Sequence, residues 1–323
     1  MNDELLRLEN VFINYRVRGG YLNAVKDVSF SVNRGEIFAV VGESGCGKST
    51  VAHSIMRLLD KNAVVLGNIK YNGKNLMELS NKQITGIRGH DIGMIFQNPL
   101  DSLNPVYTTG AQVNEAIRLD GINKLDGWKK VIELYRSVKM PDAEKRVHAY
   151  PHEMSGGMRQ RVMISMMLSR NPSLLIADEP TTALDVTIEA QILEIISQLK
   201  VEFGTAVMLI THNFGLVAEV ADRVAIMYAG ELVEQGDVFE IFREPKHPYT
   251  RLLMKALPRG TKHEGRLQTI DGTVPRLMAI QPSCRFANRC PLAREICHNQ
   301  DPAVRALSAT HTYRCHFAEE EEV

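Results

Sequence analysis

Apolar residues run along this chain in two rhythms. Short unbroken stretches, Ile37-Phe38-Ala39-Val40-Val41, Leu174-Leu175-Ile176-Ala177 and Ala206-Val207-Met208-Leu209-Ile210, predict strands buried on both faces. Between them apolar positions recur at helical spacing. Val51, Ile55, Leu58 and Leu59 share one face, and Ile188, Ile192, Ile195, Ile196 and Leu199 repeat the stripe. These stripes are core-facing surfaces. The alternation continues through about 245 residues and predicts an α/β domain over residues 1–245. From about 98 to 150, and on toward 160, the chain is more polar and contains Gly121, Gly127 and Pro141, which predicts a mostly helical insertion. The pattern changes again near Pro245. The last 79 residues hold seven of the thirteen prolines and four of the five cysteines, so residues 246–323 form a separate extension. So short and proline-rich a segment struggles to build its own core, and a chemical staple is expected. The closing Glu319 to Glu322 run reads as a solvated tail.

Composition narrows the class. Hydrophobic residues are 44% and charged residues 24%, as in an ordinary globular protein. The 38 basic residues balance 38 acidic ones, which argues against non-specific nucleic-acid binding because that needs a basic excess. Met1 to Leu5 is acidic and lacks the basic and apolar pattern of a signal peptide, and no apolar run approaches the ~18–20 residues of a membrane span. The expectation is a protein that stays in the cytoplasm with reduced thiols.

Two segments carry phosphate chemistry. Gly42-Glu43-Ser44-Gly45-Cys46-Gly47-Lys48-Ser49, continuing to Thr50, fits the phosphate-loop pattern, with a buried strand before it and an amphipathic helix after it. The glycines let successive N–H groups turn toward an anion, and the helix N-terminus adds partial positive charge. Lys48 is expected to reach the β- and γ-phosphates of ATP and the Ser49 hydroxyl to bind Mg²⁺. Cys46 needs only to be small. The second segment, Leu174 to Glu179, is an apolar strand ending in two carboxylates. Asp178 is placed to hold Mg²⁺ and Glu179 to act as general base on the attacking water.

A third segment, His152-Glu153-Met154-Ser155-Gly156-Gly157-Met158-Arg159-Gln160-Arg161, resembles the signature of the ATP-binding subunits of ABC transporters. Ser155 can cap a helix while Gly156 and Gly157 expose N–H groups to an anion. The resemblance implies that this segment closes on the γ-phosphate of ATP bound by a second ATPase subunit, two ATP molecules lying in the dimer interface. It also implies roles at other matching positions. Gln97 resembles the Q-loop glutamine that touches Mg²⁺. Thr182 to Asp185 resembles the D-loop, and His212 resembles the switch histidine that contacts the γ-phosphate. Tyr15 resembles the aromatic that stacks on adenine, with Tyr21 as the competing choice. The resemblance covers residues 5 to about 240. Met158 stands where many members of the wider family have Gln.

Four cysteines close the chain as C-x₅-C-x₆-C-x₁₇-C: Cys284, Cys290, Cys297 and Cys315. Four reduced thiols usually indicate metal, and the spacing by itself leaves an iron–sulfur cluster and Zn²⁺ equally open, with inert thiols as the remaining reading. His247-Pro248-Tyr249-Thr250 and Ser283 to Pro291 resemble the extension of oligopeptide and dipeptide importer ATPases, which implies a [4Fe–4S] cluster on the four cysteines.

The expected protein is an α/β P-loop ATPase that energises a dipeptide or oligopeptide importer at the cytoplasmic face of the membrane. The resemblance implies two multi-span membrane permease subunits, a second ATPase subunit (a heterodimer or a homodimer) and an extracytoplasmic peptide-binding protein. A nickel or other small-solute importer of the same subfamily is one alternative. A soluble ABC-type ATPase acting on DNA or the ribosome is another. Against the latter stand a single nucleotide-binding set, the absence of a long coiled-coil insertion between Lys48 and Ser155, and the lack of a basic run interleaved with aromatics.

Overall fold

The computed structural model describes residues 3–97, 102–181, 186–256, 270, 272–275, 278 and 282–320. The segment Thr182 to Asp185 lies outside the described residues. The chain divides into two compact units, residues 1–78 with 210–323 and residues 79–209.

The first unit begins with β1 (Glu4–Val17), β2 (Gly20–Asn33) and β3 (Ile37–Val41), continues through α1 (Lys48–Ile55) and adds β4 (Ala63–Tyr71) and β5 (Lys74–Asn75). Four of these strands form an antiparallel sheet in the order β2-β1-β4-β5. A register shift around Asn10, whose φ is 46°, changes the phase of β1. Val11 and Ile13 thereby continue the buried face begun by Leu6 and Leu8. β3 is buried at all five positions, which explains its unbroken apolar run.

Helix α1 stops earlier than its apolar stripe suggests. Arg57 takes a left-handed φ of 50°, Arg57 N donates to Ser54 O at 3.0 Å and Leu58 N to His53 O at 2.8 Å. This is a two-bond helix stop of the kind usually built on glycine. It leaves Leu58 exposed, outside the stripe.

The second unit contains α2 (Asn81–Ile87), β6 (Ile92–Ile95), α3 (Thr109–Arg118), α4 (Lys124–Ser137), α5 (Ala143–Arg146), α6 (Gly156–Leu168), β7 (Leu174–Asp178) and α7 (Val186–Phe203). Along β8 (Ala206–Thr211) the chain passes back to the first unit. β6 and β7 are parallel. In the polar stretch after residue 102 the two longer helices, α3 and α4, have capped starts. Thr108 Oγ1 accepts from Ala111 N at 3.4 Å and Asn123 Oδ1 from Asp126 N at 3.1 Å. Arg161 of α6 is buried and ties this helix to the end of α4 by donating to the carbonyl oxygens of Val138 and Lys139.

Back in the first unit lie α8 (Phe214–Val220), β9 (Arg223–Tyr228), β10 (Glu231–Asp237), α9 (Val238–Arg243), α10 (Pro248–Lys255), α11 (Glu295–Asn299), β11 (Val304–Ala306) and β12 (Thr312–Arg314). Here the strands run β11-β12-β10-β9-β3, with β3 parallel to β9 and the other pairs antiparallel. The C-terminal extension is therefore continuous with a sheet of the ATPase portion. It also shares its core. Tyr228 of β9 meets the buried rings of Tyr249 and Phe286 at centroid distances of 4.8 and 5.0 Å. Lys26 of β2 bonds Glu231 at 2.8 Å and Asp301 at 2.6 Å. Borrowed aromatic packing and ion pairs thus hold a segment too short to build its own core.

Glu234 organises the entry to the extension. Its buried carboxylate accepts from Lys246 N at 2.6 Å, from His247 N at 2.9 Å, and pairs with His311 Nε2 at 2.7 Å. His247 in turn caps α10, its Nδ1 accepting from Tyr249 N at 3.1 Å. Burial lowers the His247 pKa to about 4, against the opposing pull of Glu234. Between about pH 6.5 and 4 the unfolded imidazole binds a proton that the folded one refuses, so stability falls as pH falls through that window. At pH 5 this removes about 2 kcal/mol relative to pH 7.5. Thermal melts are expected to show that loss, and His247→Asn should flatten the pH dependence. An identical slope in the variant would refute the assignment.

Candidate nucleotide site

The loop from Gly42 to Thr50 joins β3 to α1, and its back is packed against the β9–β10 turn. A Cβ on Gly42 would lie 2.1 Å from Met227 O, so only glycine fits this approach. Gly47 has a left-handed φ of 101°, and a Cβ there would stand 2.9 Å from Ala24 O. Gly230 N donates to Cys46 O at 2.8 Å and closes the contact. Cys46 is buried beneath the loop, and burial pushes its thiol pKa up, away from reactivity. Gly45 takes a left-handed φ of 80°, and Ser44 lies exposed beside it.

Lys48, the first residue of α1, is only 4% exposed. Its Nζ donates to Gly42 O at 2.7 Å and to Glu43 O at 3.0 Å, so the ammonium is held over the loop. Ser49 and Thr50 follow in the first turn. Tyr15 of β1 hydrogen-bonds the Thr50 side chain, and burial raises its phenol pKa. Tyr21, by contrast, is 48% exposed and lines a pocket with Asn14, Arg16 and Leu66. His212 is exposed just beyond β8, and Asn213 after it caps α8 by accepting from Gly215 N at 3.1 Å and Leu216 N at 3.4 Å.

In the second unit Asp178 ends β7 and is buried, with Glu179 next to it in a left-handed conformation at φ 46°. Such a φ is uncommon for a non-glycine residue and aims the carboxylate by fixing the backbone. Gln97 Nε2 donates to Glu179 Oε2 at 3.0 Å. The structure thus brings together two candidates that lie 82 positions apart. Ser155 caps α6, its Oγ accepting from Met158 N at 3.4 Å. Gly156 and Gly157 form the first turn, and a Cβ on Gly157 would come within 2.7 Å of Ile188 Cγ2. Asp185 lies outside the described residues.

The four terminal cysteines converge on one small pocket, walled also by Phe286 and Phe317. Cys284 N donates to Cys297 O at 2.8 Å, which ties two of the segments together. Burial pushes the Cys284 thiol up to about 12, with the neighbouring Cys290 and Cys297 adding to the shift. Cys315 is raised too, by burial and then by Cys297. Among the described residues, no three or more His, Cys, Asp or Glu side chains are gathered closely enough to hold a single metal ion.

Sequence reasoning missed the link between this segment and the phosphate loop. Arg289, next to Cys290, donates from Nη1 to Glu43 Oε2 at 2.6 Å and from Nη2 to Glu43 Oε1 at 3.0 Å. Its guanidinium lies 5.6 Å from the Tyr228 ring centroid. Tyr249 Oη accepts from Glu43 N at 3.0 Å. The only signal available was an arginine beside a cysteine, and nothing in the spacing points from there to Glu43.

A strand, a glycine-rich turn holding a lysine and a helix N-terminus define a P-loop α/β fold. The comparisons agree. The family model described as ABC transporter matches residues 25–182, and that of the oligopeptide/dipeptide transporter C-terminal region matches residues 233–297. A probable peptide ABC transporter ATP-binding protein of Sinorhizobium fredii is 47% identical over 97% of this chain and 95% of its own length. The dipeptide transport ATP-binding protein DppD of Bacillus subtilis is 46% identical over 97% of this chain and 94% of its own length. Among solved structures, a dimeric ATP-binding cassette in a post-hydrolysis state, bound to ADP and Pi, matches 72% of this chain and 99% of that one at 26% identity, with a TM-score of 0.66. The chain belongs to the ATP-binding proteins of ABC transporters, with the C-terminal region of the oligopeptide/dipeptide type. Among the described residues no helix is long and apolar enough to cross a membrane.

The loop geometry makes a direct prediction. Gly47→Ala forces a side chain into a left-handed position, at about 1–2 kcal/mol, and against Ala24 O. MgATP affinity should drop at least about tenfold, while circular dichroism stays unchanged. Wild-type affinity in the variant would contradict the assigned loop.

Proposed function

We propose that this chain is the ATP-hydrolysing subunit of a dipeptide or oligopeptide importer, working at the cytoplasmic face of the membrane. The observation that carries the reading is the phosphate loop, with Lys48 held over it and glycines where no side chain fits, in a chain nearly half identical to peptide-transport ATP-binding proteins along its length. Residues 1–245 form the nucleotide-binding domain, with a helical subdomain at about 98–160, and residues 246–323 the importer-type extension.

Each candidate has a role in keeping with its chemistry. Backbone N–H groups from Gly42 to Thr50 and the Lys48 ammonium bind the phosphates, and Tyr15 stacks on adenine. Mg²⁺, when bound, neutralises phosphate charge. Ser49, Gln97 and Asp178 supply the oxygen donors that a hard cation takes. Glu179 takes a proton from water as its oxygen attacks the γ-phosphorus, and the bond to the bridging oxygen breaks to give ADP and phosphate. Gln97, already bonded to Glu179, orients that carboxylate, and His212 contacts the γ-phosphate. Ser155, Gly156 and Gly157 meet ATP held by a second ATPase subunit, and Asp185 links the two sites. Two multi-span permease subunits receive the motion, and an extracytoplasmic binding protein delivers the peptide.

The cysteines are assigned to a [4Fe–4S] cluster that helps hold the extension. Four thiols on one pocket supply the ligand set such a cluster takes.

Glu179→Gln should keep MgATP binding near the wild-type level, lower turnover at least about 100-fold and favour an ATP-bound dimer. Unchanged turnover would remove Glu179 as the base. Anaerobically purified protein should contain about four irons per chain with broad visible absorption. Stoichiometric zinc, or no metal with the extension fully folded, would overturn the cluster assignment.

A further inference from the structure

Glu43 puts a carboxylate on the loop read above as the binding place of a polyanion. Left uncompensated, that charge opposes phosphate binding. The C-terminal segment supplies the compensation. Arg289 grips both Glu43 oxygens, at 2.6 and 3.0 Å, in the two-pronged geometry that makes such pairs strong. The Arg289 side chain is 8% exposed and that of Glu43 27%, so solvent screens the pair only in part. Arg289 is itself fixed, donating to Ile270 O at 3.1 Å and lying against Tyr228. The backbone of the same loop residue is held separately, by Tyr249 Oη on Glu43 N at 3.0 Å.

We propose that Arg289 is a positioning residue for the nucleotide: it neutralises Glu43 and, with Tyr249, fixes the phosphate loop, so that ATP affinity depends on the docked C-terminal segment. The inference rests on the assignment of Gly42 to Thr50 as the nucleotide loop.

Calorimetric titration of the full chain with MgADP tests it. Arg289→Ala should weaken binding about tenfold, and lowering the ionic strength should widen the gap. Adding Glu43→Gln to Arg289→Ala should bring affinity back to within about threefold of wild type. That rescue separates charge compensation from a merely structural role, because deleting a second side chain does not repair lost packing. Arg289→Gln, which keeps most of the packing, provides the same comparison if the alanine variant does not fold. Wild-type affinity in the folded arginine variants, or a double variant as weak as Arg289→Ala, would overturn the proposal. Retained binding in Lys48→Ala would instead overturn the loop assignment, and the inference with it.

Discussion

The structure turns on the close approach of the phosphate loop to the strand pair behind it. For its N–H groups to face outward, the loop backbone must lie against Met227 O and Ala24 O, with Cys46 O receiving Gly230 N. That approach leaves no room for a Cβ at Gly42 or Gly47. β3 throughout, and β9 from Val224 to Tyr228, are buried and form the floor on which the loop rests.

The same β9–β10 turn anchors the C-terminal extension. Tyr228 receives Tyr249 and Phe286, Arg285 donates to Ala229 O, and β12 pairs with β10. Loop and extension thus share one short stretch, residues 227–235, and Arg289 joins them directly by meeting Glu43. A segment too short to have its own core is stabilised by sharing one, and the shared part is the floor of the phosphate loop.

Legibility in the sequence followed locality. The phosphate loop, the acids ending β7 and the cap of α6 each lie within a few consecutive residues, so motif and flanking pattern sufficed to find them. The gathering of four cysteines was readable as a cluster, though spacing could not choose its occupant. Two kinds of feature escaped. The stop of α1 depends on Arg57 taking a conformation usually reserved for glycine, which no residue preference announces. The Arg289–Glu43 clamp joins residues 246 positions apart through tertiary packing, and neither partner is unusual alone. The packing that the extension borrows escaped for the same reason, because Tyr228 sits on a strand of the ATPase portion.

Joined through Arg289 and the β9–β10 turn, the phosphate loop and the cysteine-bearing segment should respond to nucleotide as one body. Amide hydrogen exchange of the full chain, with and without MgATP, tests it most directly. Binding should slow exchange both in the peptide spanning residues 42–50 and in that spanning 284–290. Protection of the loop with unchanged exchange across the cysteine segment would contradict it.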